Sequence, residues 1–172
     1  ARRIEDIPTS RIRSAHQGYV ELQGQARPMS GEPLVAPLSK LPCCWFRYKV
    51  EKYRDDNWET IKTGTSDALF LLNDSTGECV VDPEGADVIP RHKSTWYGNN
   101  ENFENINSKE IVRGVQQGVL KVGGISLKMQ SGGSRDYRYT EQTIIEGDQL
   151  YALGLFKSLD DLDHQASRAE IV

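Results

Sequence analysis

Apolar residues fall in short blocks along this chain, and most blocks alternate with polar residues. The central stretch is 69–88, where the apolar runs 69–72 and 79–81 flank the loop 73–77. Two such runs joined by five residues that include glycine predict a β-hairpin with a longer loop. The first run is apolar at every position, so we expect both of its faces to be covered and place this hairpin at the centre of the core.

Alternation of apolar and polar residues continues on both sides of this hairpin. It predicts half-buried strands at residues 18–28, 43–52, 58–65, 137–145 and 149–157. Gly24 falls inside the first of these strands and predicts a bulge or strong coiling there. A polar turn joins the second strand to the third, which predicts a hairpin projecting from the core. In that hairpin we expect Trp45 and Trp58 to pair across the strands.

The strand at 43–52 shows the alternation most clearly. Its pattern places one set of side chains on one face, namely Cys44, Phe46, Tyr48 and Val50. It places a second set on the other face, namely Cys43, Trp45, Arg47, Lys49 and Glu51. In the strand at 137–145, we expect the tyrosines and charged residues to alternate between core and cross-strand contacts.

Helical signals are few. Pro8 followed by Thr9 and Ser10 predicts a short helix or turn over roughly residues 9–16. Asn107 followed by Glu110 fits a capping box, and apolar residues at helical spacing predict a helix that ends near residue 117.

Two further predictions concern the later part of the chain. Residues 119–129 fit a hairpin that turns at Gly123 and Gly124. Residues 158–172 carry leucines and alanines at helical spacing and predict the start of an amphipathic helix.

The order of these elements indicates a fold class. A coiled first strand, a central hairpin, a helix and a glycine-containing last strand follow the order of a small OB-like barrel. We therefore predict a mainly β fold (β-rich α+β), an OB-like small barrel with a projecting hairpin and one or two short helices. Residues 1–157 would form this β domain, and 158–172 would lead to the remainder of a longer protein.

Charge is unevenly distributed along the 172 residues, whose net charge is −4. Residues 1–54 hold ten Lys and Arg against five Asp and Glu, whereas residues 55–172 hold eleven against twenty. A nucleic-acid surface needs a basic face on the folded part, so this distribution argues against nucleic acid as a partner. It is compatible with anionic lipid headgroups near the N-terminal segment, but we favour an ordinary solvated surface, because short charge asymmetries of this kind are common.

Four blocks of the sequence resemble a known family. They are DIPTSRIRSAHQGYVELQG, LPCCWFRYKVE, TSDALFLLNDSTGECVVDPEGADV and YRYTEQTIIEGDQLYALG. In this order they resemble bacterial relatives of the GIDE domain, also called the beside-a-membrane (BAM) domain. That domain is related to the intermembrane-space domain of the mitochondrial E3 ubiquitin ligase MULAN. The region 91–135 matches the family least.

This resemblance implies a domain anchored beside a membrane by flanking segments outside this chain, on the periplasmic side in bacteria. It implies a sensor or scaffold that binds an unknown protein or ligand at the membrane, with no cofactor. Ligase chemistry in the eukaryotic relative belongs to a separate RING finger. Three cysteines and three histidines are too few for the two four-ligand zinc sites of a RING, so we expect no enzymatic activity.

Candidate binding residues lie in two places. Arg91, His92, Trp96 and Tyr97 combine cations and aromatic rings in a polar stretch, which suits a partner or a membrane interface. In the alternative interpretation, Trp96 fills the end of the barrel. Arg11 and Arg13 are candidates for holding phosphates, with structural ion pairs as the alternative.

Other clusters carry weaker signals. Carboxylates around the central hairpin are candidates for a cation, but they lack EF-hand spacing, and Asx-turns explain them more simply; they are Asp74, Asp82, Glu84 and Asp87. Cys44 and Cys79 could form a disulfide in an oxidising compartment, or all three cysteines are buried thiols. No metal spacing and no nucleophile elbow is present in the sequence.

Three hypotheses of function remain. The leading one is a non-catalytic, membrane-tethered binding domain. The second is an enzyme or ubiquitin-ligase-associated module whose active residues lie in 91–135. The third is a structural spacer that has no partner.

Overall fold

A computed structural model of the chain describes residues 8–98 and 136–157. These residues are 58% strand and 3% helix and form a curled half-barrel sheet and a second sheet, which confirms the mainly β class. The chain divides into two compact units. The first unit comprises Ala1–Arg27, Leu71–Val81 and Gly147–Val172, and the second comprises Pro28–Phe70 and Asp82–Glu146.

The described part of the chain contains nine strands and one short 3₁₀ helix. The strands are β1 Thr9–Ser10, β2 Gly18–Pro28, β3 Trp45–Arg54, β4 Asn57–Thr65, β5 Phe70–Asn73, β6 Glu78–Val81, β7 His92–Gly98, β8 Tyr137–Ile144 and β9 Gln149–Phe156. The 3₁₀ helix is Ile12–Ser14, inside the short helix or turn predicted near the N-terminus. The predicted elements at 107–117, 119–129 and 158–172 lie outside the described residues.

The first sheet is organised around β2. Strand β9 pairs antiparallel with β2 from Gly18 to Gln25, and β1 pairs with it in parallel. The sheet order continues from β2 to β5 and β6, the predicted central hairpin. Its apolar side forms a cluster of Ile12, Val20, Leu22 and Leu72, with residues of β6 and β9 packed against it. This hairpin therefore belongs to one of two cores.

Gly24 has a structural role that differs from the predicted bulge. Its register with Leu150 of β9 is regular. A Cβ atom at Gly24 would lie 2.5 Å from the backbone oxygen of Asn73. The glycine therefore permits a close approach of two backbones at this point of the sheet.

The second sheet has the order β4-β3-β8-β7. Strands β3 and β4 form the predicted hairpin, and β8 continues the sheet from β3. Trp58 pairs with Tyr53, whereas Trp45 pairs with Ile144 at the other end of β3. The expected pairing of Trp45 with Trp58 is therefore wrong, because the turn sets a different register.

The stretch after residue 91 is also different from expectation. The polar stretch that contains Trp96 and Tyr97 was not predicted as a strand, but His92–Gly98 forms strand β7. All seven residues pair with β8. Since β7 has little apolar content, its strand conformation depends on this pairing with a partner 45 residues away in sequence.

One face of the second sheet, the inner face, is packed. Leu38, Val50, Tyr137 and Tyr139 form its cluster, and Trp96 is among the residues packed against it. A buried carboxylate, Glu141, accepts hydrogen bonds from the backbone N–H groups of Leu38 (2.8 Å) and Ser39 (3.1 Å). These bonds hold the proline-containing loop before β3 against the inner face.

No helix among the described residues has both the length and the apolar character to cross a membrane.

Candidate functional site

The other face of the second sheet carries mainly charged and hydroxyl-bearing side chains. We call it the cationic face, and its residues are Arg47, Lys49, Glu51, Thr63, Thr65, Lys93, Thr95, Tyr97, Arg138, Thr140 and Gln142. Together with Tyr48, they line a half-open cavity of about 600 Å³. Every strand of the sheet contributes at alternate positions, because successive side chains of a strand point to opposite faces.

Strand register places these side chains in rows across the sheet. In one row, Arg47 lies between Thr65 and Gln142, and Gln142 pairs in turn with Lys93. In the next row, Lys49 lies between Thr63 and Thr140, which pairs with Thr95. Directly opposed residues of paired strands share a face and approach closely, so each row is a band of hydrogen-bond donors.

A β-bulge determines which side chains of β4 lie on the cationic face. Between Val50 and Glu51 the register shifts, so that Glu51 pairs with Thr60 and Val50 with Lys62. Ile61 is the additional residue, and it packs against the inner cluster. The shift brings Thr63 to the cationic face beside Lys49, because an extra residue reverses the alternation beyond it.

The only carboxylate of the cationic face, Glu51, is fully engaged. Arg138 donates to it from Nε (2.7 Å) and Nη2 (2.8 Å), and Lys49 Nζ lies 2.8 Å from Oε1. The hydrogen bonds from Arg138 lower the pKa of Glu51 to about 2 against the opposing effect of burial, and Lys49 contributes further lowering. The same bonds raise the pKa of Arg138.

Arg47 is held in place by two acceptors. Its Nε donates to Oε1 of Gln142 (3.0 Å), and its Nη2 donates to the carbonyl oxygen of Val88 (3.3 Å). Its guanidinium also lies over the ring of Trp45, 5.4 Å from the centroid. Since the Gln142 oxygen faces Arg47, its NH₂ group remains as a donor toward the cavity.

Cations outnumber anions on this face. It carries Arg47, Lys49, Lys93 and Arg138 against Glu51, which gives a charge of +3 on a chain of net charge −4. The side chain of Lys93 makes no hydrogen bond or ion pair with other residues of the described ranges. The hydroxyl groups of the lining threonines add neutral donors, so the face is suited to bind anionic groups.

Aromatic side chains border one end of the cationic face. Trp58 lies 5.2 Å from Tyr53 and 5.9 Å from Tyr97, measured between ring centroids. The Arg138 guanidinium lies over the Trp58 ring at 4.5 Å. Tyr53 is 43% exposed and Tyr97 53% exposed, so large amphipathic rings adjoin the cations at the surface.

Comparison with known families decides the affiliation of this chain. A family model described as GIDE, E3 ubiquitin ligase, matches residues 46–168. The chain belongs to the GIDE family. The match includes all the residues of the cationic face and begins after β2. Neither a curated protein nor a solved structure matches the chain.

The candidate binding residues predicted near β7 do not form one cluster, because successive side chains of the strand point to opposite faces. Trp96 pairs with Tyr139 and stacks on it (6.3 Å between centroids), on the inner face. Tyr97 points to the cationic face. Arg91 is exposed just before the strand, and His92 is its half-buried first residue. The aromatic pair proposed from the sequence is therefore divided, and Tyr97 alone of these four residues lines the cationic face.

Arg11 and Arg13 lie in the first unit, at the 3₁₀ helix. Arg11 Nη1 donates to the hydroxyl of Ser75 (3.1 Å), and the backbone N–H of Arg13 donates to the hydroxyl of Thr76 (3.2 Å). Both side chains are exposed. They lie beside the loop of the central hairpin, whose structure depends on Asp74.

Asp74 organises this loop. Its carboxylate accepts hydrogen bonds from the backbone of Ile12, Thr76 and Gly77 and from the Thr76 hydroxyl. Burial raises the pKa of Asp74, but these bonds outweigh it and bring the pKa to about 2. Asp82 likewise accepts from the backbone N–H of Glu84 (3.0 Å). These contacts fit Asx-turns, and no group of three metal-ligating side chains occurs among the described residues.

None of the three cysteines forms a disulfide in the structure. Cys43 and Cys44 are buried in the second unit, and Cys79 is half-buried in the first. Burial, with smaller effects from Glu141 and Cys44, raises the pKa of Cys43 to about 12. Burial and the nearby Asp74 and Glu78 also raise the pKa of Cys79. These thiols are poor nucleophiles at neutral pH.

Sequence reasoning overlooked most of the cationic face. A signal was present in the alternation itself. Three strands carry polar residues at every second position, as R-x-K-x-E at 47–51, K-x-T-x-Y at 93–97 and R-x-T-x-Q at 138–142. The net negative charge of the chain does not reveal these cations, because they accumulate on one face of the strands only.

Proposed function

We propose that this GIDE-family chain is a non-catalytic binding module of a membrane-anchored protein, on the periplasmic side. It binds an anionic partner through the cationic face. The observation that carries the proposal is the excess of cations on that face, where four Lys and Arg accompany one neutralised carboxylate. The resemblance to the GIDE, or beside-a-membrane, domain supports the membrane anchoring in this proposal.

Three carboxylates of the described ranges are engaged in structural hydrogen bonds, which supports a binding role rather than catalysis for them. Glu51 is engaged by Arg138 and Lys49, Glu141 by two backbone N–H groups, and Asp74 by its own loop. A general acid or base needs a pKa near the working pH, whereas the pKa values of Glu51 and Asp74 are about 2. Glu51 and Asp74 therefore stay ionised near neutral pH, which suits structural hydrogen bonding better than proton transfer.

Photo-crosslinking in intact membranes tests this function. A photoreactive residue replaces Thr95 in the full-length protein, since Thr95 is exposed on the cationic face, on β7 beside Thr140. A matched probe replaces Lys40, an exposed residue of the loop on the inner side. We expect an adduct from position 95 that weakens at high salt, because screening shortens the reach of charges.

The charge dependence of the adduct decides among the three hypotheses. Replacement of Lys49 and Lys93 by Gln should remove the adduct from position 95. Equal labelling from position 40, or self-adducts alone, would favour a structural spacer. Turnover by the chain itself, assayed with a ubiquitin-charged conjugating enzyme, would favour the enzymatic alternative.

A further inference from the structure

The hydrogen-bond donors of the cationic face that are not used within the protein indicate which kind of anionic group it would bind. Planar carboxylates of an acidic peptide are best recognised by the fork of an arginine, which donates two parallel hydrogen bonds. The fork of Arg138 is occupied by Glu51, and Arg47 donates to Gln142 and Val88. The Nε–Nη2 side of each guanidinium is therefore already used within the protein.

The remaining donors act as single points. They are the ammonium group of Lys93, the N–H groups of Lys49 that do not face Glu51, the amide NH₂ of Gln142 and the threonine hydroxyls. Lysine binds phosphate as a point charge, and hydroxyl groups can donate to any oxygen of a tetrahedral anion. This donor set fits phosphate better than it fits carboxylate.

The dimensions of the face indicate several phosphates rather than one. Neighbouring strands lie about 4.8 Å apart, so four strands span about 14 Å. Lys49 and Lys93 lie on strands separated by β8 and in different rows. The cavity between these strands is half-open to solvent. Such a surface fits an array of phosphates, as on a lipid layer, rather than one enclosed anion.

The aromatic side chains at one end of the face also favour a lipid surface as the partner. Tyr53, Trp58 and Tyr97 border the cations and keep part of each ring at the surface. Tyrosine and tryptophan are enriched at the level of lipid headgroups, where one end of the ring is apolar and the other is hydrated. Cations beside such rings characterise surfaces that dock on anionic bilayers.

We propose that the cationic face docks on the phosphate headgroups of an anionic phospholipid surface. This inference rests on the proposed function and names its partner. Lys49, Lys93 and the lining threonines contact the phosphates, and the rings of Tyr53, Trp58 and Tyr97 lie at the headgroup level.

Co-sedimentation of the 172-residue chain with vesicles tests the proposal. Phosphatidylglycerol vesicles are compared with phosphatidylcholine vesicles at low and high salt. Each cation near an anionic surface changes affinity about fivefold, so Lys49→Gln with Lys93→Gln should weaken binding about 25-fold. The matched control combines Lys40→Gln with Lys157→Gln, which removes two exposed cations outside the face and should retain binding.

The outcomes separate this inference from the proposed function. Equal binding to both vesicle types, or unchanged binding by the Lys49/Lys93 variant, would overturn the headgroup assignment. Poly-glutamate or inorganic phosphate that shifts the amide signals of Thr95 and Thr140, without vesicle binding, would leave the proposed function standing with a soluble partner. Absence of all binding, together with no crosslink from position 95, would overturn both. Near-ultraviolet circular dichroism confirms that each variant is folded.

Discussion

Neighbouring residues of β8 experience opposite surroundings in the second sheet. Tyr139 is 1% exposed and packs between Trp96 and the inner cluster, whereas Arg138 and Thr140 line the open cationic face. The same strands thus build a packed surface and a donor-rich surface. The inner face stabilises the fold through apolar burial, to which the side chains of the outer face contribute little.

Carboxylates illustrate the same difference. Glu141 on the inner face is stabilised by backbone N–H groups, and Glu51 on the outer face by the side chains of Arg138 and Lys49. The first interaction attaches a loop to the sheet. The second neutralises the only negative charge of the cationic face, so the remaining cations determine its potential.

The largest expected effect comes from removing an inner ring. Tyr139→Ala should lower the free energy of unfolding by about 3–5 kcal/mol, because it leaves a cavity beneath Trp96. Urea unfolding followed by tryptophan fluorescence measures this change. The matched outer substitution Thr140→Ala should cost no more than about 0.5 kcal/mol. Similar losses at both positions would contradict the division between the two faces.

Glu51→Gln should affect stability and binding in opposite directions. Loss of the charged hydrogen bonds from Arg138 should lower the free energy of unfolding by about 1.5–3 kcal/mol. The freed Arg138 raises the charge of the face from +3 to +4, so binding to anionic vesicles should strengthen about fivefold. Weaker binding by a variant that is still folded would contradict the electrostatic account.

The pH dependence of stability separates Glu51 from other groups. Its pKa is lowered in the folded state from 4.5 to about 2, so its contribution is complete above pH 4.5 and is lost as pH falls toward 2. Glu51→Gln should therefore reduce the acid-induced loss of Tm across this window. Asp74 also has a pKa of about 2, so Asp74→Asn should remove a second part of the loss. An unchanged pH profile in both variants would contradict these assignments.

Glu141→Gln should cost about 1–3 kcal/mol, because the new NH₂ group cannot accept from Leu38 or Ser39. Hydrogen exchange at these two amides should accelerate more than exchange elsewhere in β8. Glu146→Gln, at an exposed turn, is the control and should leave both rates unchanged. Uniform acceleration in the Glu141 variant would indicate global destabilisation instead of release of the loop.

Lys93→Gln should have the smallest effect on stability, below about 0.5 kcal/mol, since the Lys93 side chain has no hydrogen bond or ion pair among the described residues. Its effect on vesicle binding should nevertheless be clear, at about fivefold. Thermal unfolding and co-sedimentation of the same preparation measure the two quantities. A large loss of Tm would show that Lys93 stabilises the fold, which contradicts its assignment to a partner.

Local pattern was sufficient to predict most strands of this fold. The alternation at 18–28 predicted β2 with its observed bounds, and 137–145 and 149–157 predicted β8 and β9 to within one residue. The four blocks that resemble GIDE domains also indicated the family, and the match of the family model confirms it. Period-two alternation is a local property of the chain, so no knowledge of the partner strand is required.

Pairing and register were decided only by the tertiary structure. Strand β7 exists because it pairs with β8, and the bulge at Ile61 brings Thr63 beside Lys49. The division of Trp96 from Tyr97, the neutralisation of Glu51 by Arg138 and the accumulation of cations on one face all follow from that register. Sequence alone determined which residues alternate; long-range strand pairing determined which of them meet, because cross-strand neighbours are distant in the chain.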